Sequence, residues 1–343
     1  MTDAWPATDH REVSIAFQTD KLPRDYAELA RTVENYGFDA LSMYGDLMFQ
    51  PPIVPLTLAA QATSTIRLGP ASLNPFTLHP VEIAGQIATL DQVSEGRAYL
   101  GLARGAWLES LRLRQMHPVS RVSEAFEVVA HLLEDRRTYF SGRHFQLDER
   151  HRFHYPIQRS KVPFLLGSWG QRLITESANL VQEVKLGGSA NPAVIPQVDA
   201  WLHEGAQRHG HQNHSVGIVL GAVTVVDTDR QVARGLIRRE MAMYLPVVAG
   251  LDPTSNVDPD LLARMERLVE GGDLDGAGAL IPDEIVNTFS FAGTPTDVIE
   301  QCERIFEAGA SRIEFGTPHG TSASNGLKLL GEQVLPALDH WRS

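Results

Sequence analysis

Four stretches of the chain combine glycine with small or polar residues in a way that suits contact with a ligand. They are Leu68-Gly69-Pro70-Ala71-Ser72-Leu73-Asn74-Pro75, Leu100-Gly101-Leu102-Ala103-Arg104-Gly105-Ala106-Trp107, Gly167-Ser168-Trp169-Gly170-Gln171 and Gly187-Gly188-Ser189-Ala190-Asn191-Pro192. Glycine lets a backbone approach a ligand closely, and a helix N-terminus offers unpaired N–H groups and the positive end of its dipole. Gly167 to Gln171 has that form and suits a phosphate, although most glycine turns bind nothing. Gly187 to Asn191 reads equally well as a cap before Pro192. Asp46, in Tyr44-Gly45-Asp46, is a carboxylate that could accept a hydrogen bond or relay a proton. It also reads as a turn or cap residue before Pro51-Pro52. Arg104 and Arg172 could contact an anionic group, although arginines at loop ends are more often solvated. Trp107 and Glu109 could shape a substrate pocket.

Other chemistries find less support. The single cysteine, Cys302, lies in a helical pattern and reads as a buried structural thiol; it can form neither an internal disulfide nor a Cys/His zinc site. His203, His209, His211 and His214 cluster in sequence, but no two of them stand four apart on one helical face, so a solvated helix end is expected and no metal. A formal net charge of −12 argues against nucleic acid as a partner. There is no run of 18 apolar residues, so no membrane span is expected. Met1 to Glu12 lacks the basic-then-apolar order of a signal peptide, which makes the cytoplasm the expected location.

The elements that must position these residues alternate. Strands are predicted at 12–17, 38–43, 66–69, 97–101, 162–167, 181–186, 216–226 and 312–315, from β-branched and apolar runs bounded by glycine, proline and polar turns. Helices are predicted from Pro23 to Tyr36, Pro55 to Thr63, Pro80 to Val93, Arg121 to Arg136, Gln171 to Asn179, Pro192 to His209, Thr294 to Gly309 and Asn325 to Trp341. Thr138 to Leu147 reads as a small hairpin turning at Ser141-Gly142-Arg143. Residues 228–290 are too long for one crossover and read as two or three inserted helices, forming a lid or a dimer contact. Alternation at this spacing implies parallel strands, and eight strand–helix units make a (β/α)8 TIM barrel: one α/β domain spanning residues 1–343, with the helical insertion after strand seven. The glycine-containing loops then share the C-terminal face of the strands, where such barrels keep their chemistry.

Gly37-Phe38-Asp39-Ala40-Leu41, Ile66-Arg67-Leu68-Gly69, Ala88-Thr89-Leu90-Asp91, Ser94-Glu95-Gly96-Arg97 and Leu100-Gly101-Leu102 resemble the bacterial-luciferase-like superfamily. Leu68 to Pro75, Phe291 to Pro295, Gly316-Thr317-Pro318-His319-Gly320 and Leu327 to Gly331 are similar, more narrowly, to coenzyme F420-dependent methylenetetrahydromethanopterin reductases. The resemblance implies a barrel that binds a flavin or deazaflavin at the strands' C-terminal face, and a homodimer. It implies a non-proline cis peptide after strand three, by position Ala71–Ser72, supporting the cofactor ring. Asn74 would touch the ring's polar edge. Gly101, Ala103 and Arg104 would line the site, and Gly167, Ser168, Trp169 and Gly170, with Ser189 as a second wall, would take the cofactor phosphate. Asp46 would stand where F420 sugar-phosphate dehydrogenases have a histidine near the hydride centre. Two positions depart from relatives: Ala106 replaces a glutamate of those dehydrogenases, and Ala16 replaces a first-strand glutamate of the reductases. The expectation is an F420-dependent oxidoreductase acting on a small organic substrate. An FMN-dependent monooxygenase and a barrel that only binds its ligand are the alternatives.

Overall fold

Short strands with alternating faces build the molecule. The computed structural model describes residues 11–342. In Glu12–Phe17 (β1), Val13, Ile15 and Phe17 join the main apolar cluster, while Ser14 and Ala16 take the opposite side. Ala40–Met43 (β2), Arg67–Pro70 (β3) and Leu100–Ala103 (β4) follow. A two-stranded hairpin, Phe140–Ser141 (β5) and Gln146–Leu147 (β6), stands apart. Phe164–Gly167 (β7), Glu183–Gly187 (β8), Gly217–Val226 (β9), Ser290–Gly293 (β10) and Arg312–His319 (β11) complete the set. The parallel sheet runs β3-β2-β1-β11-β9-β8-β7-β4. Isolated parallel bridges, Leu68 to Ala98 and Leu73 to Leu102, join its two ends, giving a nearly closed barrel of eight parallel strands.

Helices cover the outside: Pro23–Tyr36 (α1), Ile53–Ala62 (α2), Pro80–Val93 (α3), Pro118–Leu133 (α4), Gln171–Ser177 (α5) and Ile195–Arg208 (α6). Between β9 and β10 lie Arg230–Met241 (α7), Leu245–Ala249 (α8), Pro259–Glu270 (α9), Leu274–Ala279 (α10) and Asp283–Phe289 (α11). These helices pack around a second apolar cluster that includes Ile237, Met241, Met265 and Phe289 and reaches the barrel at Val225 and Ala292. Pro295–Glu307 (α12) opens with a capping box between Thr294 and Asp297. Ala323–Leu329 (α13) begins the C-terminal segment. Among the described residues, no helix is long and apolar enough to cross a membrane.

Several elements differ from the sequence reading. β10 was hidden at the end of the 228–290 segment. Val225 pairs with His319 of β11 on one edge and with Ala292 of β10 on the other, so β10 extends the edge that β8 leaves at Gly187. β4 starts three residues later than predicted. Arg97 is occupied as an anchor, its guanidinium donating to the carbonyls of Ala60, Thr63 and Ile66. α4 starts three residues earlier, because Pro118 suits the first helical turn, where no N–H is needed. The predicted closing helix is interrupted: residues Leu330–Val334 form a π turn just before Pro336, which has no N–H to continue the ladder.

Candidate functional site

All the strands of the barrel are parallel, so their C-terminal ends share one face. The exits of β2, β3, β4, β7 and β8 carry the residues singled out from the sequence. At the exit of β3 the chain changes partners. Ala71 N donates to Met43 O on the β2 side at 2.9 Å, and Leu73 N donates to Gly101 O on the β4 side at 3.0 Å. Between them the Ala71–Ser72 peptide is cis. Ser72 Oγ lies over two neighbouring strands: a Cβ at Gly101 would come within 3.3 Å of it, and one at Gly167 within 3.1 Å. Gly101 is closed to larger residues by Pro70 O as well, 2.2 Å from that Cβ position. Gly101 within β4 and Gly167 at the end of β7 thus let the β3 loop lean across the barrel mouth.

The neighbouring loops press on both ends of this bulge. A Cβ at Gly45 would meet Ser72 O at 2.4 Å, and one at Gly105 would meet Asn74 Cγ at 3.0 Å. Asp46 therefore follows a residue packed on one end, and Trp107 lies two residues beyond a glycine packed on the other. Asp46 is half-buried and accepts a hydrogen bond from Gln18 Nε2 at 2.8 Å. Trp107 is 56% exposed, and Glu109 is also exposed on the short 3-10 turn Leu108–Leu111. Ala71, Ser72 and Ala103 are partly exposed at the mouth, and Arg104 is exposed.

Asn74 is 7% exposed, and its Oδ1 accepts from Phe76 N, Thr77 N and Thr77 Oγ1. It builds its own loop and keeps only Nδ2 on the Gly105 side. Ser168 and Trp169 are half-buried at the end of β7. Ser168 Oγ accepts from Gly170 N at 3.1 Å, and Trp169 Nε1 donates to Gly187 O at 3.0 Å. Arg172 pairs with Glu176 at 2.9 Å on the outside of α5. Ser189 requires a correction: it is completely buried, with its Oγ accepting from Asn191 N, so it caps the β8 loop rather than walling the mouth. His79 caps α3 by accepting from Val81 N. Ala106 is exposed, while Ala16 is fully buried in β1. Cys302 is fully buried in α12, and burial pushes its thiol's pKa up.

Below the mouth the barrel holds charged groups that the sequence reading passed over. Lys185 of β8 pairs with Glu314 of β11, and Ser42 Oγ donates to the other oxygen of Glu314. Ser42 also bonds Tyr99 Oη at 2.6 Å, and Arg312 holds Glu183 through two N–H groups at 3.0 and 2.6 Å. Burial alone would raise the Glu314 pKa; Lys185 and Arg312 reverse this and hold it below the usual carboxylate value. Burial pushes the Tyr99 phenol up to about 12. A readable signal existed in Glu183-Val184-Lys185-Leu186 and Arg312-Ile313-Glu314-Phe315: charges at every second position of a strand mark a polar interior face.

On the opposite, N-terminal face, Asp199, His203 and His214 come together beside a cavity of about 290 Å³. Asp199 and His203 stand four apart on α6, and His214 arrives from the following loop. Val216 N donates to His214 Nδ1, so His214 Nε2 carries the proton that Asp199 accepts at 2.9 Å. His203 Nδ1 donates to the Asp199 carbonyl at 3.0 Å. These hydrogen bonds use both His214 nitrogens.

A family model described as luciferase-like monooxygenase matches residues 7–312. The chain belongs to this family. It is similar to a 5,10-methylenetetrahydromethanopterin reductase of Archaeoglobus fulgidus, 28% identical over 94% of this chain and 98% of the relative. It is also similar to an F420-dependent glucose-6-phosphate dehydrogenase of Nakamurella multipartita, 24% identical over 92% of this chain and 93% of the relative. Among solved structures, the coenzyme F420-dependent tetrahydromethanopterin reductase of Methanopyrus kandleri superposes with a TM-score of 0.85 at 24% identity, covering 95% of this chain and 99% of that one. The barrel of this luciferase-like family member is therefore the fold that its sequence alternation implies.

Proposed function

We propose that the chain is a coenzyme F420-dependent oxidoreductase that moves a hydride between deazaflavin carbon C5 and a small organic substrate. The observation that carries this reading is the floor made by Ser72 Oγ over Gly101 and Gly167. Ala71, Ser72, Ala103 and Gly167 offer only backbone and small side chains here, which fits a planar ring. Ala71, Ser72 and the Nδ2 edge of Asn74 would hold the ring, Gly101 and Ala103 would flank it, and the Gly167 to Gly170 turn with Arg104 would take its anionic tail. The names of two relatives described above include F420 and support the choice over FMN.

When bound, the deazaflavin supplies a two-electron hydride donor or acceptor that reacts poorly with oxygen. The chain's own part is to orient and to handle a proton. Asp46, held by Gln18 at one end of the bulge, would accept or return the substrate proton. Trp107 and Glu109 would border the substrate on the other side. The chain acts in this reading as one barrel domain with α7–α11 as its insertion, as a cytoplasmic homodimer, and without nucleic acid.

The test is anaerobic turnover. Reduced F420 is mixed with the enzyme and a panel of activated alkene, imine and carbonyl acceptors. The reading expects oxidation of F420 that depends on both acceptor and enzyme. Oxygen-dependent turnover with reduced FMN instead would establish the monooxygenase alternative; cofactor binding with no turnover would favour a barrel that only binds.

A further inference from the structure

Gln18 is the first residue past β1, and Asp46 lies three residues past β2. The two strands are paired neighbours, and their ladder continues one step beyond, with Tyr44 N donating to Phe17 O at 3.1 Å. The loops then separate and are stitched again: Gln50 N donates to Thr19 O at 3.1 Å, and Thr19 Oγ1 donates to Gln50 O at 2.7 Å. Tyr26 Oη donates to Gln50 Oε1 at 3.0 Å and anchors that stitch to α1. Residues 44–50 are therefore a short loop fixed at both ends to the segment carrying Gln18, with Asp46 inside it.

Within this frame the Gln18 amide can face only one way. Its Oε1 accepts from Thr19 N at 3.0 Å, so Nε2 must face Asp46, where it donates to Oδ2 at 2.8 Å. A flipped amide would lose both bonds and set two oxygens against each other. Thr19, whose N–H fixes the amide, is completely buried, so this bond is shielded from competing water. One oxygen of Asp46 is thus fixed, which sets the plane of the carboxylate and the direction of its other oxygen, Oδ1.

We propose that Gln18 is a positioning residue: it orients Asp46 so that Oδ1 is presented to the substrate at the mouth. This rests on the reading of Asp46 as the proton-handling group. Displacement of such a group by an ångström costs up to about a hundredfold in rate, so a lost orienting bond has a measurable effect.

The test is a double-mutant cycle on the full chain, in Gln18→Ala, Asp46→Asn and the double variant. Each is assayed for kcat, for KM of substrate and cofactor, and for Tm. Gln18→Ala is expected to lower kcat about tenfold or more, with cofactor KM and Tm little changed. In the Asp46→Asn background the same substitution should have no further effect on kcat, because Gln18 acts only through Asp46. A kcat effect of Gln18→Ala that persists undiminished in the Asp46→Asn background overturns the proposal. Gln18→Glu keeps the shape, loses the donor, and should be at least as impaired as Gln18→Ala; retained activity overturns it as well. A crystal structure of the Gln18→Ala protein tests the same point without turnover. A rotated or multiply placed Asp46 carboxylate supports the proposal, and an unmoved one overturns it. Should the wild type fail to turn over F420, the functional reading falls while this structural outcome still decides the role of Gln18.

Discussion

Ser72 and Gly167 meet across the barrel mouth although β4 lies between their strands: a Cβ at position 167 would come within 3.1 Å of Ser72 Oγ and 3.3 Å of Ala103 Cβ. The floor of the site depends on this glycine. Gly167→Ala should push the Ser72 hydroxyl away and tilt whatever rests on it. F420 affinity is expected to fall about tenfold, roughly 1.4 kcal/mol, while Tm changes by only a few degrees. Isothermal titration beside a thermal melt checks both. An unchanged affinity would show that the ring does not rest on this floor.

Lys185 and Glu314 lie one layer deeper and are 8% and 1% exposed at their side chains. Removing only the cation, in Lys185→Met, leaves a buried carboxylate without its partner and should destabilise the fold by about 3–5 kcal/mol. Adding Glu314→Gln removes the remaining charge and should recover much of that loss. Urea unfolding of the two variants measures the difference. Equal stabilities would mean that the pair is not coupled.

His319 sets a pH dependence. It is 1% exposed, and its Nε2 donates to the carbonyls of Ala16 and Phe315 at 3.1 and 3.3 Å, fastening β11 to β1. Burial lowers its pKa to about 4 from an unfolded value of 6.5. Between those values the unfolded chain binds the extra proton and the native one does not, so stability rises with pH across this window. It is fully present above pH 6.5 and lost as pH falls towards 4, by roughly 2–3 kcal/mol at pH 4.5. Unfolding curves at pH 7 and 4.5 should show this loss in the wild type and less of it in His319→Gln.

The alternation of strands and helices was legible because both periods are strong: Val13, Ile15 and Phe17 mark one face of a strand, and Tyr26, Ala30 and Val33 one face of a helix. Ends were less legible where a side chain overrode local pattern. Arg97 delays β4 by tying its approach to α2, and Pro336 interrupts the last helix. β10 escaped because Ser290 to Gly293 is short and follows α11 without a turn signal. In the site, the loops were readable from glycine and small residues, but which atoms face the mouth was not. Ser189 turned inward to cap Asn191, and Asn74 spent its carbonyl on its own loop. Gln18 gave no sign, since its role arises from a partner 28 positions away that only β1–β2 pairing brings near.

The barrel mouth is the proposed seat of a deazaflavin. The most direct measurement is a titration of the purified protein with F420 and, separately, with FMN, followed by cofactor fluorescence. Saturable binding of F420, at least about tenfold tighter than that of FMN, is the predicted result. Tight FMN binding with no response to F420 would contradict it.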